Sequence, residues 1–205
     1  MINAGTQYAS HPHLLLLNDD VIISHRGWLN ALATSLSPST AIVSAQLLYP
    51  NGTIQHAGVA LQQQDGFPTH IGRGRDPHSF GSHTIPQRCS AVTGACMLIE
   101  KQVFDTIGGF DEDFAVEYGD IDFCLRARAR GYEVYYEALA VLTHSESQTR
   151  GTKRYRDDEQ LFIGRWGTQK ELFYQKPPSQ KTSWRKKLLS SVHKLRDGSN
   201  KPFRV

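Results

Sequence analysis

Three stretches of this 205-residue chain carry residue types capable of chemistry, and they lie far apart in sequence. Asn18-Asp19-Asp20 follows directly on four leucines, residues 14–17. Two adjacent carboxylates at the C-terminal end of a buried strand can hold a hard divalent cation, Mg²⁺ or Mn²⁺, leaving positions for water and phosphate oxygens. A plain strand-to-loop turn is the alternative, since Asn and Asp favour turns. Glu117-Tyr118-Gly119-Asp120-Ile121-Asp122 puts two aspartates in the first turn of a helix, where the helix dipole favours negative charge. Residues two apart on a helix diverge by roughly 200°, so these carboxylates cannot share one task. One can face a cleft as a general base for a hydroxyl, while the other caps the helix or pairs with an arginine such as Arg126. His144 follows an apolar strand. Neutral imidazole there can complete a metal site begun by Asp20, although a lone histidine at a strand end is more often a polar surface residue. The other histidines are assigned no metal.

These residues need elements to hold them. Continuous aliphatics at residues 13–17 predict a strand covered on both faces, hence an α/β domain. Helical spacing predicts a helix over residues 26–36, ended by Ser37-Pro38, and residues 41–48 read as a second apolar strand. Pro50-Asn51-Gly52 marks a turn before a further strand at 53–61. Residues 62–87, rich in Gly, His and Pro without periodicity, read as a functional loop. Beyond it, residues 89–100 are β-rich around Gly94, and a short helix over 102–107 closes on Gly108-Gly109. A helix over 120–130 ends at Gly131, strands follow at 133–136 and 138–142, and a helix covers 153–166.

Hydrophobic residues make up 39% and charged residues 21%, which excludes wholesale disorder. No apolar run approaches the ~18 residues of a membrane span, and no charged-then-apolar leader opens the chain. Cys89, Cys96 and Cys124 fit neither a disulfide framework nor a CxxC site, so a reduced, cytoplasmic setting is expected. The net charge of +3 is uneven: residues 181–205 carry +7, from eight Lys and Arg against Asp197, leaving −4 on the rest. That is not the profile of a nucleic-acid-binding domain. Within the basic end, Trp184, Leu188, Leu189, Val192 and Leu195 recur at helical spacing opposite Arg185, Lys186, Lys187 and Lys194. Such a helix, residues 184–195, suits peripheral contact with the inner face of an anionic membrane. A packed C-terminal helix or a disordered tail is the alternative.

Taken together and in order, the motifs resemble the second part of an inverting, metal-dependent glycosyltransferase of the GT-A fold, glycosyltransferase family 2, with its rhamnosyltransferase-like and O-antigen-assembly members nearest. Asn3-Ala4-Gly5 resembles the family's NxG segment, and residues 14–20 (LLLLNDD) its strand leading into a DxD-type metal motif. Gln55-His56-Ala57-Gly58, Ala91-Val92-Thr93-Gly94-Ala95-Cys96 and Gly108-Gly109-Phe110-Asp111 are similar to its middle. Residues 119–126 (GDIDFCLR) resemble the (E/N)DxDxxxR block, with Gly119 where Glu or Asn is commoner, and residues 144–151 (HSESQTRG) the closing HxxS segment.

The resemblance implies a partial GT-A mixed sheet flanked by helices over residues 1–170, followed by the basic tail 171–205. It implies transfer of a sugar from a nucleotide-sugar donor to a glycan or lipid-linked acceptor, with inversion, in cell-surface polysaccharide synthesis. Asp20, with Asp19 beside it and His144 assisting, would hold Mg²⁺ or Mn²⁺ on the donor diphosphate, and Asp120 would be the base. Gly94 and Ala95 would lie under the donor sugar, and Asp122, Ser147 and Arg150 would contact substrate. The family's opening nucleotide-binding βα units are not recognisable here. The chain is therefore expected to be a fragment, to have a misplaced start, or to receive that half from a partner chain. Two other readings stay open: a non-catalytic glycan-binding or scaffold remnant of such an enzyme, and a metal-dependent hydrolase using Asp19, Asp20 and His144.

Overall fold

The computed structural model of the chain describes residues 1–61, 67–145 and 155–169. A helical turn, α1 (Ile2–Thr6), leads into β1 (His13–Leu17), β2 (Val21–Ile22) and α2 (Trp28–Ser35). Next come β3 (Thr40–Leu48), β4 (Ile54–His56), β5 (Val59–Leu61) and β6 (Pro68–His70). A 3-10 turn at Ser82–Thr84 precedes β7 (Gln87–Arg88) and β8 (Cys96–Glu100). The order ends with α3 (Lys101–Ile107), α4 (Gly119–Ala129), β9 (Glu133–His144) and α5 (Arg156–Trp166). The main sheet runs β1-β8-β3-β9-β2, with β4 on β3 and β7 on β9, while β5 and β6 pair separately. β3 and β9 are parallel and the other ladders antiparallel, the mixed sheet of the expected α/β class.

β3 sits at the centre because it has apolar residues for both faces. Val43, Ala45 and Leu47 pack with Cys96 and Leu98 against Trp28 and Leu32 of α2. Ile42 packs with Met97 and Ile99 beneath Val103 and Phe104 of α3, Phe123 of α4, and Phe162 and Trp166 of α5. Phe110 and Phe123 stack at 4.8 Å with ring planes 2° apart. Each such side chain contributes about 1.5–3 kcal/mol by leaving water, so helices on both faces are tied to one sheet.

Some boundaries differ from expectation, each for a local reason. The two strands expected at 133–136 and 138–142 are one strand, β9, interrupted by a bulge: Ala45 faces Glu137 and the next residue, Gln46, faces Val141. Buried Glu137 holds the bulge, accepting the Leu139 amide at 2.9 Å and the Ser35 hydroxyl at 2.6 Å. The strand expected at 53–61 breaks at Gly58, whose φ of +92° turns the chain where a Cβ would meet Cys89 at 3.2 Å. The stretch expected to be a structureless loop contains β6, a 3-10 turn and β7. All three cysteines are buried thiols, and burial pushes those of Cys89 and Cys96 up to about 12. Among the described residues no helix is long and apolar enough to cross a membrane. The basic tail and its expected helix lie outside the described residues.

Candidate active site

The turn after β1 and the end of β9 meet because β2 pairs with β9, with Val21 opposite His144 and the Ser145 amide donating to the Asp20 carbonyl at 3.2 Å. This brings Asp20 Oδ1 to 2.9 Å from His144 Nε2. On the other side of the ring, Nδ1 lies 2.7 Å from Gln55 Oε1, and Gln55 Nε2 donates to the His144 carbonyl at 3.3 Å. An amide oxygen only accepts, so Nδ1 carries a proton, and in that neutral tautomer the Nε2 lone pair faces Asp20. Asn18 Nδ2, 3.3 Å from Nε2, donates to that lone pair. The same tautomer explains why Asp20 Oδ1, although buried and close to the ring, receives no hydrogen. A carboxylate oxygen and an imidazole lone pair 2.9 Å apart repel unless an electrophile joins them.

This orphaned oxygen tests the fit to a divalent ion. Among the described residues no three His, Cys, Asp or Glu side chains converge as a ligand set. Asp20 and His144 could supply two ligands, which would suit a Mg²⁺ or Mn²⁺ ion that takes its remaining ligands from phosphate oxygens and water. Asp19 is exposed.

Asp120 approaches from α4. Its Oδ2 accepts the Gly94 amide at 2.9 Å and its Oδ1 the Ile121 amide at 2.8 Å. The Gly94–Ala95 step connects this carboxylate to the other half of the site, because the Ala95 carbonyl accepts the Asn18 amide at 2.9 Å. An unbroken path of short contacts therefore runs Asp120–Gly94–Ala95–Asn18–His144–Asp20. Residues from four separate stretches of sequence, 18–20, 94–95, 120 and 144, are thereby linked beside the end of β1.

Asp122 requires a correction. Expected among the substrate contacts, it is fully buried, and both of its oxygens are engaged. Oδ2 accepts Arg126 Nε at 2.7 Å, and Oδ1 accepts Arg165 Nη1 at 2.8 Å and Trp166 Nε1 at 2.9 Å. Arg126 continues to the carbonyls of Ile107 and Gly109 at 3.1 and 2.8 Å. Asp122 thus fastens α4 to α5 and to the end of α3, the arginine-paired role open to one of the two aspartates. Ser147 and Arg150 lie outside the described residues.

Two contributors had no assigned role: Gln55, which sets the His144 tautomer, and Asp158, which binds the loop before α4. No local signal singles either out: Gln55 sits beside another polar residue in β4, and Asp158 is one of three acids in the first turn of α5. His56, next to Gln55, is buried, with Nε2 accepting the Gly58 amide at 3.2 Å and Nδ1 2.9 Å from His70 Nδ1. Burial, then the neighbouring His70 and His144, hold its pKa well below the ordinary histidine value.

The family model described as glycosyltransferase like family 2 matches residues 1–159. The chain is 35% identical over 178 residues to protein y4gI of Sinorhizobium fredii, covering 81% of this chain and 20% of that one. It is also 35% identical over 153 residues to the O-antigen biosynthesis protein RfbC of Myxococcus xanthus, covering 72% and 12%. Among solved structures, GalNAc-T7 with UDP, GalNAc and Mn²⁺ aligns over 94% of this chain and 40% of that chain, at a TM-score of 0.62 and 16% identity. That likeness is one of fold, the GT-A arrangement. The chain spans less than half the length of each of these three proteins. By the match of its first 159 residues, it belongs to the glycosyltransferase like family 2.

Proposed function

We propose that this chain is the metal- and acceptor-side portion of an inverting glycosyltransferase that moves a sugar from a nucleoside-diphosphate donor to a glycan or lipid-linked acceptor in cell-surface polysaccharide synthesis. The observation carrying this reading is the contact path from Asp120 through Gly94, Ala95 and Asn18 to His144 and Asp20. Asp20 and His144, with Asp19 nearby, hold the divalent ion. That ion supplies positive charge against a departing diphosphate. Gln55 fixes the proton on Nδ1 and orients the imidazole. Asp120 takes the proton of the acceptor hydroxyl, and the uncovered backbone of Gly94 with the small Ala95 leaves room for the donor sugar. Base and ion site come from opposite ends of the path, as back-face displacement with inversion needs. The relatives support the substrate class: one is an O-antigen biosynthesis protein, and one solved neighbour carries UDP, GalNAc and Mn²⁺.

The nucleotide base and ribose call for more protein than the sheet provides. β1 lies at the end of the strand order, and Leu17 on it is 38% exposed. Its outer edge is where a nucleotide-binding half, from the same or a partner polypeptide, would add strands.

Calorimetry of the chain with UDP and with GDP, each with and without Mn²⁺, tests the reading. Binding that needs Mn²⁺ and disappears in Asp20→Ala supports it. Glycan binding with no diphosphate affinity would identify a glycan-binding remnant, and phosphate or free sugar released without an acceptor would identify a hydrolase.

A further inference from the structure

The segment leading to Asp120 is held along one stripe of α5. Asp158, Phe162, Arg165 and Trp166 recur at the spacing of a single helix face. Asp158 is 3% exposed and receives three consecutive backbone amides, those of Ala115 on Oδ1 at 3.0 Å and of Val116 and Glu117 on Oδ2 at 2.8 and 2.7 Å. One turn on, Phe162 stacks on Tyr118 at 4.9 Å with ring planes 24° apart. Tyr118 has φ +64°, a conformation taken by no other non-glycine among the described residues and unfavourable for a bulky side chain. Arg165 then bridges Asp111 and Asp122 at 2.7 and 2.8 Å, and Trp166 joins Asp122. Two residues after the strained tyrosine comes Asp120.

We propose that Asp158 is a positioning residue for the Asp120 carboxylate: by gathering the amides of residues 115–117 it fixes the turn through Tyr118 that aims Asp120 at the Gly94 amide. Its importance to catalysis rests on the reading of Asp120 as the base, but the positional link stands on geometry alone. Three amides pointing at one buried point need an ionised acceptor. Burial by itself would raise the Asp158 carboxyl, yet the three amide bonds outweigh it and keep the group below its ordinary value. An asparagine must turn its NH₂ group against at least one of these amides, that of Ala115 when its oxygen keeps the other two, and it loses the charge on all three. The turn would open, and Tyr118 would relax toward negative φ.

The experiment is amide hydrogen exchange and NMR on the full chain and on Asp158→Asn. The expected result is a roughly ten- to hundredfold faster exchange of the Gly94 amide, the factor for losing a charge-assisted hydrogen bond. Its proton resonance should shift upfield, while the Val43 and Leu98 amides in the β3–β8 ladder stay unchanged. Freed amides at 115–117 with Gly94 unchanged would overturn the proposal. If Asp158→Asn does not fold, the unsubstituted chain decides: the 115–117 amides and that of Gly94 share one opening if they are coupled and exchange independently if they are not. Turnover of a nucleotide sugar by Asp120→Asn tests the base assignment separately, since retained activity would remove that assignment without touching the Asp158–Gly94 link.

Discussion

Gly94 donates its amide to Asp120 at 2.9 Å, and a Cβ on Gly94 would lie 3.4 Å from the Asp120 Cβ. A loop between two strands and the first turn of α4 are thereby in contact across 26 positions of sequence. The glycine does two things at once, holding the carboxylate with its amide and leaving the space beside it open.

Gly94→Ala should fold, because 3.4 Å is ordinary contact distance and no positive φ is involved. A stability change under about 1 kcal/mol is expected. Gly94→Val adds methyls against Asp120 and should lower sugar transfer with little change in melting temperature. Thermal unfolding alongside turnover checks both.

Asp120→Asn keeps an oxygen for the Gly94 amide but cannot take a proton. Turnover should fall roughly 10²–10⁴-fold, the usual contribution of a positioned base. Mn²⁺-dependent UDP binding should persist, since Asp20 and His144 are intact. Calorimetry and rate measurements on the same preparation separate the two effects.

Asp122→Ala should be the most damaging change to the fold in this region. It leaves the Arg126, Arg165 and Trp166 donors facing a void. Removing one member of a buried ion pair costs about 3–5 kcal/mol, and the partial exposure of both arginines places this case at the low end. Urea unfolding of Asp122→Ala against the parent chain measures it.

His56 makes stability depend on pH with a definite sign. Its pKa in the folded chain lies well below that of the unfolded chain, so the unfolded state binds the proton first as pH falls. Stability should be constant for this group above about pH 6.5, its unfolded value. Below that it should decline by up to ~1.4 kcal/mol per pH unit until the folded pKa is reached. His56→Asn should flatten that slope, as measured by denaturant midpoints between pH 7 and 5.

β1, β3 and α4 could be read from local signals alone: unbroken aliphatics, and a helix stopped by Gly131. What escaped local reading depends on distant partners. β2 is two residues long and exists because Thr143 and His144 offer it a ladder. The two aspartates of α4 look alike in sequence, yet Asp122 is buried and Asp120 is not, a difference made by Arg165 and Trp166 more than forty positions later. The pairing of Asp20 with His144 is suggested by ligand chemistry and by family resemblance, not by spacing. Nothing in the spacing of two residues 124 positions apart predicts 2.9 Å, whereas the β2–β9 register accounts for it.

That register has an engineering corollary. Because Val21 faces His144 across a ladder, sliding either strand by one residue would turn that strand's own side chains to the opposite side of the sheet and part the pair. Anyone transplanting this pocket into another scaffold must therefore graft the two-strand splice whole, since copying its side chains alone would carry the chemistry without its ruler.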